Sequence, residues 1–269
     1  MLFSVVHTNF LVDSYGNEVI ILMKDTTSYA EIIKYYLKDY QGEHPRLIFS
    51  YQEPNENKLD DMLDLATTFI NAGWDIAFRF PLTEKSLNIC RTFQDKQISY
   101  FFNYYCRTKT SLMRIFDLGV SDIYVHGELC FSLKDIQALK LREPVKFRTV
   151  PNQPTMTEIE TYIDPIKTFW IRPQDLDVYE KYIDVLEFPP ATSIALLRVY
   201  KERKWEGRMI DIIPETELEV CASSIPPTFG EVRVNCGLEC AYNNCQICAG
   251  CINFAKTLDE KHLEIRKEQ

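Results

Sequence analysis

Short apolar runs alternate along this chain with longer stretches in which apolar residues recur every three or four positions. The first kind reads as strand and the second as amphipathic helix. EVIILMK (18–24) precedes SYAEIIKYYLKDY, with Ser28 placed as an N-cap. RLIFSYQ (46–52) precedes KLDDMLDLATTFINAG (58–73), whose closing Gly73 marks a helix stop. DIAFRFP (75–81) leads to a helix from Ser86, ISYFFNYY (98–105) to SLMRIFDLG, and DIYVHGE (122–128) to SLKDIQALK. VKFRTVP (145–151) has only a short helical piece after it. TFWIRP (168–173) precedes DLDVYEKY, and IDVLEF (183–188) precedes ATSIALLRVYKERK.

Strands alternating with helices over short connections imply parallel pairing. Eight such units, with no glycine-rich phosphate loop after the first strand, favour a closed barrel over an open doubly wound sheet. The expected fold class is therefore α/β, a TIM-barrel-like parallel barrel, regular or irregular, over residues 1–213. Residues 1–17 leave a choice, because residues 3–12 and 18–24 can also be drawn as a hairpin across Ser14-Tyr15-Gly16-Asn17. In PETELEVCASSIPPTFG (214–230) the periodic pattern is lost, and a cysteine-rich C-terminal module, 214–269, begins.

Composition narrows the function classes. The net charge of −9 disfavours nucleic acid and anionic membrane surfaces as partners of the whole molecule. The basic run KERKWEGR (201–208) reads as a solvated helix end. No apolar run approaches the ~20 residues that span a bilayer, and MLFSVVHTNFLVDS lacks the basic start of a signal peptide. The expected setting is cytoplasmic. Nine cysteines are then a poor disulfide framework, since the cytosol keeps thiols reduced.

Their distribution points to a metal. Cys90, Cys106 and Cys130 are scattered, whereas six cysteines fall between Cys221 and Cys251. Cys236, Cys240, Cys245, Cys248 and Cys251 lie within 16 residues that carry little other apolar material. The two-residue gaps at Cys245–Cys248 and Cys248–Cys251 let the backbone turn two thiolates toward one ion. Zinc needs four ligands, and a [4Fe-4S] cluster needs about as many thiolates. The run of three cysteines resembles the start of a ferredoxin motif but lacks its fourth cysteine and proline. Gaps of three then four after Cys236 do not fit a radical S-adenosylmethionine motif. Cys221 reads equally as a further ligand or a buried strand cysteine.

VNCGLECAYNNC (234–245) and VHGELC (125–130) resemble segments of the collagenase-like peptidase family, which includes accessory proteins of ubiquinone and tRNA hydroxylation. The resemblance implies a barrel whose cysteines hold an iron–sulfur cluster, and it favours that cluster over zinc. The chain departs from the family where a second Gly-x-Cys is expected, running instead into SLKDIQALK. The spacing of the C-terminal cysteines also differs.

In a parallel barrel the chemistry sits at the C-terminal ends of the strands. Polar residues there include Gln52, Asn103 and Glu187. Three strands end with an arginine near a proline, which places Arg79, Arg148 and Arg172 at one mouth as a trap for a carboxylate or phosphate. His126 and Glu128 are candidates for an acid/base pair. Two functions follow. One is an enzyme or accessory protein, with an iron–sulfur cluster beside an anionic small-molecule site, acting on such a substrate or in nucleic-acid or cofactor modification. The other is a non-catalytic barrel scaffold with a zinc clip for assembly or a protein partner, of viral or mobile-element origin.

Overall fold

The computed structural model describes residues 1–106, 123–127, 137, 140, 141, 146–149, 171–190, 192–208, 221, 225, 227 and 231. Eight strands run in chain order: β1 (Leu2–Val6), β2 (Glu18–Met23), β3 (Arg46–Tyr51), β4 (Ile76–Pro81), β5 (Tyr100–Cys106), β6 (Ile123–Gly127), β7 (Lys146–Thr149) and β8 (Val185–Phe188). Each pairs in parallel with the next, and β8 returns to β1 through Phe3↔Leu186 and Ser4↔Glu187 to close a barrel. The architecture resembles the TIM barrel. Between the strands lie α1 (Phe10–Asp13), α2 (Tyr29–Lys34), α3 (Leu59–Asn71), α4 (Glu84–Asp95), α5 (Leu176–Tyr179) and α6 (Ile194–Glu202).

Alternation along each strand separates two cores. On β3, Leu47, Phe49 and Tyr51 join an outer layer with the helices, while Ile48 joins Val6, Ile20, Ala77, Phe101 and Val185 in the lumen. The outer layer is aromatic: Phe78 meets Phe93 of α4 edge-on at 4.7 Å, and Phe49 lies 5.5 Å from Phe69 of α3. Because both faces of the strands are covered, they read as nearly continuous apolar runs. The helices obey their period. Met62, Leu65, Ala66 and Phe69 are the buried face of α3. Gly73 follows with φ +82°, and Trp74 N–H donates to the Phe69 carbonyl at 3.0 Å. This left-handed stop is the one Gly73 announces in the sequence. Helix α4 stops the same way on Gln97 (φ 57°), with Ile98 N–H reaching the Phe93 carbonyl at 2.9 Å.

The barrel has the expected number of strands, but two memberships change. The N-terminal segment forms no hairpin, because β1 and β2 are parallel, with Ser4↔Glu18 and Val6↔Ile20 in register. Helix α1 makes the return possible in few residues: the Asn9 side chain caps it by accepting from Val12 N–H. Gly16 is then squeezed against β1 and β2, where a Cβ would lie 2.6 Å from the Glu18 carbonyl oxygen and 2.8 Å from Val5. Glycine there serves close approach, where the sequence pattern suggested a hairpin turn. Conversely, Ile171 and Arg172 lie outside the sheet, since β7 pairs directly with β8 through Arg148↔Val185 and Thr149↔Leu186. Apolar residues are needed there for packing under α6, and Tyr200 of α6 donates its hydroxyl to the Ile171 carbonyl at 2.5 Å.

Candidate binding site at the barrel mouth

The lumen holds more charge than its apolar lining suggests. Glu18, Arg79, Arg148 and Glu187 are all buried, with Arg148 fully so. They form a ladder of alternating sign. Arg148 donates through Nη2 to Glu18 Oε2 at 2.9 Å and through Nη1 to Glu187 Oε2 at 3.2 Å. Arg79 donates through Nη1 to that same Glu187 oxygen at 2.8 Å and through Nε to the Ser50 hydroxyl at 2.8 Å. At the lower end Arg46 lies 3.9 Å from Glu18 Oε1 and 3.5 Å from the exposed Asp75. Arg148 also lies over the Phe101 ring, 5.6 Å from its centroid. Buried charges persist only when paired and hydrogen-bonded, which explains why the guanidiniums and carboxylates alternate.

The ladder ends upward on Arg79. Above it a cavity of about 380 Å³ opens among Leu22, Ser50, Gln52, Arg79, Pro81 and Asn103, at the C-terminal ends of β2 to β5. This volume falls in the range of small-molecule sites. Arg79 is held by two of its nitrogens, and Nη2 meets no partner among the described residues. Asn103 is 6% exposed, and its Oδ1 is buried without a hydrogen bond.

Arg172 does not join this group. It grips Asp175 with Nε at 2.9 Å and Nη2 at 2.6 Å, and donates to the Ile225 and Pro227 carbonyls at 3.3 and 3.2 Å. Burial pushes the Asp175 carboxyl above its ordinary range, and the Arg172 contact works against that shift. Three arginines at one mouth are thus two in the lumen and one in a separate clamp. His126 pairs in register with Arg148. Glu128 and all five cysteines from Cys236 to Cys251 lie outside the described residues. Cys221 is exposed and bridges antiparallel to Arg208, so it is not a buried strand cysteine. The basic run behaves as a helix end: Arg203 pairs with Asp177 and Glu180, and Lys204 with Glu206 at 2.8 Å. Among the described residues no group of three metal-ligating side chains comes together, and no helix is long and apolar enough to cross a membrane.

Sequence reasoning passed over Glu18 and Ser50, both of which anchor arginines. An acidic residue opening an otherwise apolar strand was the available signal for Glu18. It also passed over a cluster behind β1. There the buried Asp13 Oδ2 accepts from the Tyr35 and Tyr36 hydroxyls at 3.2 and 3.1 Å and lies 2.9 Å from His7 Nδ1. Burial, and then the Asp13 charge, push both phenols far above their ordinary range, so they stay protonated donors. The cluster pins α1 to the helical segment that follows α2.

No family model matches the chain, and no curated protein matches it. Among solved structures it is similar to phosphoribosyl anthranilate isomerase in complex with reduced 1-(o-carboxyphenylamino)-1-deoxyribulose 5-phosphate. That match has 10% identity and a TM-score of 0.48 over 76% of this chain and 98% of the other. A glycerol uptake operon antiterminator-related protein from Thermotoga maritima matches at 14% identity and a TM-score of 0.40, over 74% of this chain and 99% of the other. Both are likenesses of chain path; the barrel itself is read from the strand pairing.

Proposed function

We propose that this chain is a metal-containing barrel protein whose mouth binds a small anionic ligand. The observation that carries the reading is the top of the ladder. Arg79 shares its carboxylate oxygen with Arg148, is aimed by Ser50, and borders a cavity of ligand size. A guanidinium that is held by two contacts, borders a cavity and keeps one nitrogen unbonded among the described residues is preorganised for a carboxylate or phosphate oxygen. His126 and Glu128 are the acid/base candidates of this reading. The metal belongs to Cys236, Cys240, Cys245, Cys248 and Cys251. The family resemblance of the cysteine segment favours an iron–sulfur cluster over zinc, and such a cluster together with an anion-binding mouth suits an enzyme or an accessory protein of a modification reaction.

Protein purified without oxygen is expected to be brown, to absorb near ~400 nm, and to carry iron and sulfide. Thermal midpoints measured in inorganic phosphate and in small carboxylates should rise for the natural chain and not for Arg79→Met. A colourless protein with bound zinc and no ligand response to either anion would sink this reading. It would leave the scaffold reading, which has its own support: Arg148 and Arg172 are each matched by carboxylates, as a purely structural arginine would be.

A further inference from the structure

Asn103 carries a buried amide oxygen without a hydrogen-bond partner. It sits on β5 one step above Phe101, in register with Pro81, and is more than nine-tenths buried. Among the described residues neither end of its amide makes a hydrogen bond. Turning the amide over would change nothing, because both ends are unmet. An amide withdrawn from water without partners is destabilising, and an apolar residue would fill this row of the barrel at no such cost. Two features separate Asn103 from an accident of packing. It lines the same cavity as Arg79, and the other buried polar side chains that line that cavity, Arg79 and Ser50, bond to each other.

A planar carboxamide offers one donor and one acceptor side by side. Its full complement is a group offering an acceptor and a donor in the same plane, which is another amide edge, as when asparagine pairs two-fold with a base edge. A hydroxyl or a lone carboxylate meets only part of that demand. We infer that the mouth selects a small acid that also carries a carboxamide or lactam edge, with Asn103 pairing to the amide while Arg79 Nη2 takes the acid. This inference rests on the anionic reading of the mouth and adds the chemical class of the ligand and the residue that reads it. Because the site's polar groups are buried, an analogue lacking the amide leaves Asn103 unpaired and is discriminated against more sharply than size alone allows.

The test uses the full chain and three four-carbon probes of matched length: succinate, succinamate and succinamide. Binding is followed by ligand-observed NMR at millimolar concentrations, beside thermal midpoints of the natural chain, Asn103→Leu, Asn103→Thr and Arg79→Met. Succinamate should bind about tenfold tighter than succinate, the discrimination of roughly one well-made buried hydrogen-bonding pair. Both Asn103 variants should erase that ratio while succinate binding persists. Asn103→Leu without ligand should melt at or above the temperature of the natural chain, because a free buried amide has been removed. A structural asparagine would instead lower it. If succinate and succinamate bind alike and both need Arg79, the amide assignment is wrong and the anionic mouth stands. If none of the probes binds, both are overturned. A lower midpoint for Asn103→Leu and Asn103→Thr alike overturns the assignment too, since the amide then serves the fold.

Discussion

Arg79 and Arg172 stand in nearly the same sequence setting, each at the end of an apolar run and just before a proline, and the fold uses them in opposite ways. Arg172 is closed off: two nitrogens grip Asp175, three residues on, and the carbonyls of residues 225 and 227 take two further donors, so that all three nitrogens are bonded. Arg79 is closed on one side only, with Glu187 and Ser50 below it and a cavity above. A local partner makes an arginine a clamp. Partners drawn from three other strands, Ser50 on β3, Glu187 on β8 and through it Arg148 on β7, make an arginine the tip of a network that ends at an opening. Buried guanidiniums are therefore poor evidence for an anion site until their carboxylates have been found.

The contrast can be broken most severely at the centre of the ladder. Arg148→Met leaves Glu18 with only the 3.9 Å approach of Arg46 and Glu187 with Arg79 alone, and should cost about 3–5 kcal/mol in chemical denaturation. A loss of under about 1 kcal/mol would mean that the lumen is wetter than the ladder implies. Arg172→Met leaves Asp175 and two carbonyls unmet, and a loss of about 2–4 kcal/mol is expected. It should leave anion binding at the mouth untouched, which a titration with inorganic phosphate would check. The smallest effect is the most discriminating. Arg79→Met should cost only about 1–2 kcal/mol, since Glu187 keeps Arg148. Combined with Arg148→Met it should be non-additive by about 0.5–3 kcal/mol through the shared Glu187 oxygen, whereas Arg172→Met with Arg148→Met should add to within about 0.5 kcal/mol. Equal coupling in both pairs would erase the distinction between tip and clamp.

How much of this was legible beforehand varied by distance along the chain. Ser28 caps α2 as its sequence implied, accepting from Glu31 N–H, and Gly73 ends α3, because caps and stops are decided within a few residues. The stop at Gln97 was hidden, since a residue that enters the left-handed region against its preference leaves no mark in the sequence. Arg79 and Arg148 were recognisable as mouth residues from strand ends alone. Their neutralisation was not, because Glu187 lies 108 residues from Arg79 and Glu18 lies 130 residues from Arg148. Nothing in ISYFFNYY distinguishes the orphaned Asn103 from an outward-facing polar residue until the strand's facing is known.

By itself the sequence determined the α/β rhythm and the parallel pairing, since both follow from local periodicity and from connections too long for hairpins; the number eight was met only because one expected strand left the sheet as another entered it. It also sets five cysteines, Cys236 to Cys251, within 16 residues. Only the tertiary structure decided which segments belong to the barrel, bringing Leu2–Val6 in and leaving Ile171 and Arg172 out. It alone separated the tip from the clamp. Closing a barrel brings strands distant in sequence to face one another across a lumen, and charge pairing across that space has no period for a sequence to display.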